Sequence, residues 1–436
     1  MKKLLSIFMI GLILVGCGSQ DMVSDDVVTE TSSIHVETST ESAGESAEIS
    51  VADSPLVDSV ATFTGTSVEE STSLESVAAT DKSFVKVTVR TESSYGNQQS
   101  QAGLLTAGRW NDNEEFDYFM NVLRDNNWYS MQAYWGFEDF TRYSFEIVDS
   151  HQNPLVGAKV TLKSDQGQNQ AVGITDNKGR VTIYPLMNDQ MKVLKASIEY
   201  NQRLFEILDL EEEEYVVTLD VKDDKPQNVD IMFVVDTTGS MSDELEYLKV
   251  ELLDVIERVK KENANQLNLR MSGNYYRDHG DQYVVRSYDF TSNIEKVLDQ
   301  MSIQIADGGG DYEEAVVEAL SDAIYKHKWS SKARAKLLFL VLDAPPHHND
   351  ENIEGIHALM REANEKGIRI IPIASSGIDK ETEFLLRFIA LDTGGEYIFL
   401  TDHSGVGNSH LTPTIGYYEV EQLNDMLVDV INDYVE

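Results

Sequence analysis

Continuous apolar runs alternate with amphipathic segments in the C-terminal half of this 436-residue chain. The runs at 229–235, 337–342 and 368–374 are rich in Val, Ile, Leu and Phe, which indicates strands that helices cover on both faces, as in a parallel sheet. Apolar residues recur on one helical face after the first run, and 419–434 also fits a helix. Strands that alternate with helices predict a doubly wound α/β sheet over 226–436.

The segment before this half has the period of half-buried strands. Apolar and polar residues alternate over 143–149 and 158–162, and two further strands flank a turn at 177–179. The pattern predicts a small β-sandwich over 142–223. These strings resemble transthyretin-like or carboxypeptidase-regulatory-like domains of surface proteins, which implies a spacer or an accessory binding module.

Aromatic residues are frequent between 83 and 141, where the pattern predicts no particular fold. Trp110, Trp128 and Trp135 lie here with several Tyr and Phe residues. Such rings either line a carbohydrate site or pack against a neighbouring domain. We expect packing against the β-sandwich.

The first 16 residues have the features of a secretory signal. Lys2 and Lys3 precede an apolar stretch that is too short to span a bilayer comfortably. The string Leu-Val-Gly-Cys at 14–17 ends that stretch and resembles a bacterial lipobox. The resemblance implies that Cys17, the only cysteine, carries two acyl chains on the extracytoplasmic face of a bacterial cell membrane, and two chains suffice for stable attachment. The alternative is an uncleaved membrane helix with an incidental cysteine.

A disordered acidic stalk is predicted over 17–82. Between 18 and 81 the chain has no Lys or Arg, 14 Asp or Glu and 23 Ser or Thr. A segment of this composition buries no core and is extended by self-repulsion. Glycosylation of its Ser and Thr residues is left open.

The charge balance excludes some partners. The chain has 35 basic and 75 acidic residues, a formal net charge of −40. Phosphate contacts need a basic surface, so neither nucleic acid nor anionic lipid headgroups are expected as partners.

Oxygen-bearing side chains follow the apolar runs. Asp236, Thr238 and Ser240 come after the first run and Asp343 after the second, while a Gly-rich turn at 306–315 lies between them. The carboxyl ends of parallel strands meet at one edge of a sheet, where ligands bind. The same residues are also good turn and N-cap residues, so a purely structural role is the competing interpretation.

The spacing Asp-x-Thr-x-Ser resembles the metal-ion-dependent adhesion site of von Willebrand factor type A domains. The resemblance extends from about 226 to the C-terminus. It implies that Thr238 and Ser240 bind the cation directly, that Asp236 and Asp343 bind it directly or through water, and that an acidic group of a partner completes the shell. Magnesium prefers such oxygen ligands, and calcium or manganese are alternatives.

The Gly-rich turn departs from that family's common pattern. It offers Asp311 where many members have threonine, and Asp307 is an alternative. A third carboxylate makes the site more negative, which favours holding the cation over displaying it to an anionic partner. His347 and His348 suggest zinc as a further alternative, although zinc sites usually gather more nitrogen or sulfur ligands.

The expected function is binding of a protein or matrix ligand through this cation by a membrane-tethered lipoprotein that is not an enzyme. Two other readings stay open. Phosphotransferases of the haloacid dehalogenase type also place an aspartate after a first strand, but they need a second carboxylate where this chain has Thr238. An envelope scaffold with a purely structural metal site is the second.

Overall fold

The computed structural model describes residues 86–87, 101–137, 141–185, 193–222, 224–263 and 267–436. The predicted signal, Cys17 and the predicted stalk lie outside them. Within the described part of the chain, no helix has both the length and the apolar character needed to cross a membrane.

Sixteen strands and eight α-helices occur in the described residues. The strands are β1 (Lys86–Val87), β2 (Thr106–Trp110), β3 (Tyr143–Asp149), β4 (Lys159–Ser164), β5 (Asn169–Ile174), β6 (Arg180–Ile183), β7 (Val193–Tyr200), β8 (Arg203–Asp209), β9 (Glu214–Leu219), β10 (Asn228–Asp236), β11 (Asn268–Tyr276), β12 (Val285–Ser287), β13 (Ala335–Leu342), β14 (Arg369–Ala374), β15 (Tyr397–Leu400) and β16 (Glu419–Gln422). The helices are α1 (Phe116–Leu123), α2 (Asn126–Tyr134), α3 (Leu245–Asn263), α4 (Ile294–Ser302), α5 (Val316–Ser321), α6 (Asp350–Lys366), α7 (Lys380–Thr393) and α8 (Leu423–Val435).

A nine-stranded sheet organises the C-terminal part. Its order is β1-β16-β2-β15-β14-β13-β10-β11-β12, and the five strands from β15 to β11 run parallel. β2 and β12 pair antiparallel with their neighbours. The predicted α/β class is confirmed, and the sheet is mixed at its edges.

The central strand β10 shows why the apolar run is continuous. Ile231, Phe233 and Val235 belong to the core on the face that α3, α4 and α8 cover. Met232 and Val234 belong to the core on the opposite face, with α5, α6 and α7. Because helices cover both faces, every position of the strand from 229 to 235 is apolar or paired.

Residues 143–219 form two smaller sheets that share a separate apolar core. One sheet has the order β6-β3-β9 and the other β5-β4-β7-β8. Phe145 and Ile147 of β3 point into this core, whereas Ser144 and Glu146 between them are half-buried. The predicted alternation is therefore present, and the resemblance to a particular sandwich family stays a prediction.

The aromatic residues between 101 and 137 were expected to pack against the β-sandwich, and the structure corrects this. Trp128 packs edge-on against Phe384 of α7 with ring centroids 5.5 Å apart, and Phe137 stacks on Phe388 at 3.9 Å. These rings therefore pack mainly against the α/β domain, because α7 presents an aromatic face there. On the sandwich side, Phe116 contacts Tyr184 with ring centroids 6.0 Å apart.

Buried charges fix the segment before the sandwich to the α/β domain. The Glu251 carboxylate of α3 accepts hydrogen bonds from the amides of Gly103, Leu104 and Leu105 at 2.7–3.0 Å. Asp112 receives two hydrogen bonds from the Arg387 guanidinium at 2.6 and 2.8 Å, and both side chains are buried. The residues that form β2 are thus an integral part of the large sheet.

We expect Asp112→Ala to lower the free energy of unfolding by about 3–5 kcal/mol, because it leaves the Arg387 charge buried without its main partner. Urea unfolding followed by circular dichroism measures this. The matched control is Asp433→Ala, which removes an exposed partner of Arg109 and is expected to cost less than about 1 kcal/mol. Equal effects of the two substitutions would contradict the assignment.

Candidate metal centre

Parallel pairing brings four strand ends to one edge of the sheet. Asp236 is the last residue of β10 and lies in register with Tyr276, the last residue of β11. Asp343 directly follows β13, the other neighbour of β10. Ser375 follows β14, and its amide donates to the carbonyl of Leu342. The predicted convergence of Asp236 and Asp343 follows from this register.

The first loop folds back on its own aspartate. Oδ1 of Asp236 accepts hydrogen bonds from the Thr238 amide at 2.8 Å and from the Thr238 hydroxyl at 2.7 Å. The Thr238 hydroxyl lies 3.0 Å from that of Ser240. The turn interpretation accounts for Oδ1 of Asp236, but its fully buried Oδ2 has no hydrogen-bond partner.

Asp343 faces the same loop. Burial raises the pKa of its carboxyl to about 6, a hydrogen bond from Ser240 acts in the opposite direction, and the charges of Glu244 and Asp243 add to the rise. Its Oδ1 is buried without a hydrogen-bond partner. Burial and the charge of Asp343 likewise raise the pKa of Asp236 to about 7.

Glu314 is a buried carboxylate at this edge that the sequence analysis missed. It is 3% exposed, and its Oε2 has no hydrogen-bond partner. Burial raises its pKa to about 9, with further contributions from the charges of Asp236, Asp278, Asp343 and Asp281. A sequence signal existed, since Glu314 directly precedes the apolar start of α5, but Asp311 matched the family pattern more obviously.

Two glycines let this carboxylate approach the first loop. Gly308 and Gly309 both have positive φ angles, 82° and 74°, which disfavour other residues. A Cβ atom on Gly309 would lie 2.9 Å from Glu314 Oε1 and 3.4 Å from the Thr238 Cβ. Gly309 therefore lies between the Glu314 carboxylate and Thr238, where a larger residue would not fit.

The predicted middle ligands lie elsewhere. Asp311 is exposed and groups with Asp278 and His347, with ligand atoms within 4.8 Å of one another. The Asp307 side chain is 77% exposed, with its carboxylate 3.4 Å from the Arg277 guanidinium. The structure thus brings together Asp236, Thr238, Ser240 and Asp343, joined by Glu314; we call these five residues the first site.

The first site fits a divalent cation. Three buried carboxylate oxygens, Asp236 Oδ2, Asp343 Oδ1 and Glu314 Oε2, have no hydrogen-bond partner, and none of the three carboxylates forms an ion pair within the described residues. Buried charges without partners are costly unless they bind a metal. Carboxylates and hydroxyls are the donors that magnesium, calcium or manganese prefer. A bound cation would supply the positive charge and a coordination position open to a partner's oxygen.

Glu244, whose charge acts on Asp343, is held in place by its own polar contacts. The Glu244 carboxylate accepts hydrogen bonds from the Ser376 amide at 3.3 Å and lies 2.9 Å from the His410 ring. His410 also lies 2.8 Å from Asp402. These contacts tie the 401–418 loop to the loop after β14, next to the first site.

The family comparison agrees with this geometry. Residues 230–405 match the family model described as the von Willebrand factor A domain. The match supports the predicted von Willebrand factor A domain in this segment. The matched range contains all five residues of the first site, and the predicted resemblance is confirmed for this part of the chain.

Two further similarities were found. A stretch of 121 residues, 28% of this chain, is 31% identical to an ariadne-like RING finger protein of Acanthamoeba polyphaga mimivirus, and the match spans 11% of that protein. The crystal structure of the pilus adhesin SpaC from Lactobacillus rhamnosus GG matches 49% of this chain and 32% of its own chain, with 12% identity and a TM-score of 0.34.

The raised carboxyl pKa values predict the pH dependence of stability without metal. A carboxyl whose pKa is higher in the folded state than in the unfolded state binds more protons when folded. The free energy of unfolding is therefore highest at low pH and falls as the pH rises from about 4 through the folded pKa. For Asp236 and Asp343, with pKa values of about 7 and about 6, we expect the free energy of unfolding in EDTA to fall between pH 5 and pH 8 by roughly 4 kcal/mol.

Asp392 and Glu396, whose pKa values burial raises to about 7, also make stability fall as the pH rises. Both residues remain in Asp236→Asn, so the difference in pH dependence between this variant and the wild type measures the contribution of Asp236. The variant is expected to lose less stability over this range and to be the more stable protein at pH 8 in EDTA. Identical pH slopes, measured by denaturant unfolding at each pH, would refute the claim.

Proposed function

We propose that this protein is a membrane-tethered, extracytoplasmic lipoprotein whose von Willebrand factor A domain binds a protein partner through a divalent cation at the first site. One observation carries the proposal: three buried carboxylate oxygens without hydrogen-bond partners lie with two hydroxyls at the carboxyl edge of the sheet. A turn or cap accounts only for Asp236 Oδ1 and leaves the three unpartnered oxygens without a role.

The ligand set favours firm retention of the cation. Asp236 and Asp343 are joined by Glu314, which supplies the third carboxylate that the sequence analysis assigned to Asp311. Magnesium is bound by one or two carboxylates plus water, whereas calcium accepts more oxygen ligands and binds more tightly as their charge increases. Magnesium, calcium and manganese are therefore all candidates.

Exposed aromatic rings beside the first site support a partner surface. Tyr312 and Tyr134 are each 43% exposed, and Tyr134 stacks on His348 with ring centroids 3.5 Å apart. The Tyr312 hydroxyl donates to the Gly377 carbonyl and accepts from the Asp379 amide, which fixes the ring at the rim. Rigid aromatic side chains are enriched at protein interfaces and carry much of their binding energy.

The chain upstream of 101 completes the proposal. The signal at 1–16, the lipid anchor at Cys17 and the acidic stalk at 17–82 would hold the domain away from the membrane surface, where a large partner can reach it.

Calorimetric titration with magnesium tests the first site. We use the full chain carrying Cys17→Ser, which prevents acylation and removes the only thiol. Asp236→Ala is expected to weaken magnesium affinity by more than about 100-fold, beyond the loss typical of an outer-shell group. The matched control, Asp307→Ala, removes an exposed carboxylate paired with Arg277 and is expected to keep wild-type affinity. Unchanged affinity in Asp236→Ala would exclude the first site.

Selection of a displayed peptide library against the same protein tests recognition through the cation. In magnesium we expect peptides that EDTA releases, that Asp236→Ala does not bind, and that lose binding when one Asp or Glu is replaced by its amide. Enrichment of only EDTA-insensitive peptides would contradict cation-mediated binding and favour the scaffold, in which the metal is structural.

A further inference from the structure

We propose a second divalent-metal site, separate from the first, formed by Asp278, Asp311 and His347. One ligand atom of each residue lies within 4.8 Å of the other two. The three come from different segments: the loop after β11, the Gly-rich turn and the loop after β13. Their convergence is therefore a product of the fold and not of local sequence.

The histidine is oriented as a metal ligand would be. Its Nε2 lies 2.7 Å from Asp278 Oδ1, and its Nδ1 lies 3.6 Å from the Glu313 carboxylate. A carboxylate facing the second ring nitrogen fixes the tautomer and orientation of ligating histidines in many metal sites. Asp278 is 7% exposed, while Asp311 is exposed and leaves the site open to solvent.

One carboxylate clamps the two loops that carry the aspartates. Asp281 Oδ2 accepts hydrogen bonds from the Asp278 amide at 3.2 Å and from the Gly309 amide at 2.8 Å. Asp278 and Asp311 are therefore presented by backbone segments that share an anchor. Preorganisation of this kind removes much of the entropic cost of closing loops around an ion.

The third loop is held just as firmly. The Glu314 amide donates to the Pro345 carbonyl at 2.9 Å, and Glu314 forms a β-bridge with Pro346. The His347 carbonyl accepts a hydrogen bond from the Asn352 side chain at 2.8 Å. The loop that carries His347 is thus paired, through Pro345 and Pro346, to the segment that contains Asp311.

The Glu314 carboxyl of the first site also lies close enough to the second group of acidic residues to feel their charge. Its Oε2 has no hydrogen-bond partner, and its carboxyl interacts with the charges of Asp278 and Asp281 as well as with those of the first site. His347 therefore lies among three carboxylates, Asp278, Asp311 and Glu313, and the charge of one imidazolium cannot neutralise all three.

The donors define the kind of cation. One imidazole nitrogen with two carboxylates suits zinc, manganese, cobalt or ferrous iron, and is unlike the all-oxygen set of the first site, which suits magnesium or calcium. The two sites should therefore differ in selectivity. A cation in the second site would also reduce the negative charge beside the first site, and this consequence rests on the proposed function.

Cobalt(II) titration of the full chain carrying Cys17→Ser tests the proposal, with visible absorption reporting nitrogen ligation. We expect two equivalents to bind, of which excess magnesium displaces one. His347→Ala, and Asp311→Thr at an exposed position that leaves packing intact, should each retain only the displaceable equivalent. Asp236→Ala should retain only the other. Near-ultraviolet circular dichroism checks that each variant is folded.

His348→Ala is the matched control. The His348 ring stacks on Tyr134 outside the second site, so this variant should still bind two equivalents of cobalt. Two equivalents in folded His347→Ala and Asp311→Thr would overturn the second site while leaving the first intact. Loss of both equivalents in either variant would instead indicate one shared centre and overturn the two-site assignment. Loss of the magnesium-displaceable equivalent alone in these variants would place their residues in the first site.

Discussion

Repulsion among buried carboxylates is the constraint on which the rest of this domain depends. Asp236, Asp343 and Glu314 lie at one edge of the sheet, and each has an oxygen atom without a hydrogen-bond partner. Burial raises the pKa values of all three groups and the charges of nearby carboxylates add to the rise, so the folded chain opposes their ionisation. A bound cation would offset the unfavourable free energy of burying these ionised carboxylates. The functional proposals follow from this requirement for a cation.

The remainder of the fold resists this repulsion. Parallel pairing of β10 with β11 and β13 fixes where the acidic loops begin, and apolar cores on both faces hold the strands in register. Residues 106–110 extend the sheet on the far side of β15, anchored through Glu251 and the Asp112–Arg387 pair. The sheet and its extension therefore hold the acidic loops in place.

The sequence predicted the parts that depend on local pattern. Continuous apolar runs identified the central strands, and Asp236, Thr238, Ser240 and Asp343 followed because residues after parallel strands share one edge. Glu314 was missed and Asp311 chosen, since no pattern tells which side chain of a Gly-rich turn points inward. The strand at 106–110 and the aromatic packing on α7 were also out of reach, because long-range pairing leaves little trace in a short segment.

The most direct test of the central claim is anomalous diffraction at the manganese edge from crystals of the protein soaked in manganese. The account predicts a peak bounded by Asp236, Ser240, Asp343 and Glu314, with the three unpartnered carboxylate oxygens facing it. No peak at this edge of the sheet, with those oxygens instead hydrogen-bonded to ordered water or to side chains, would contradict it.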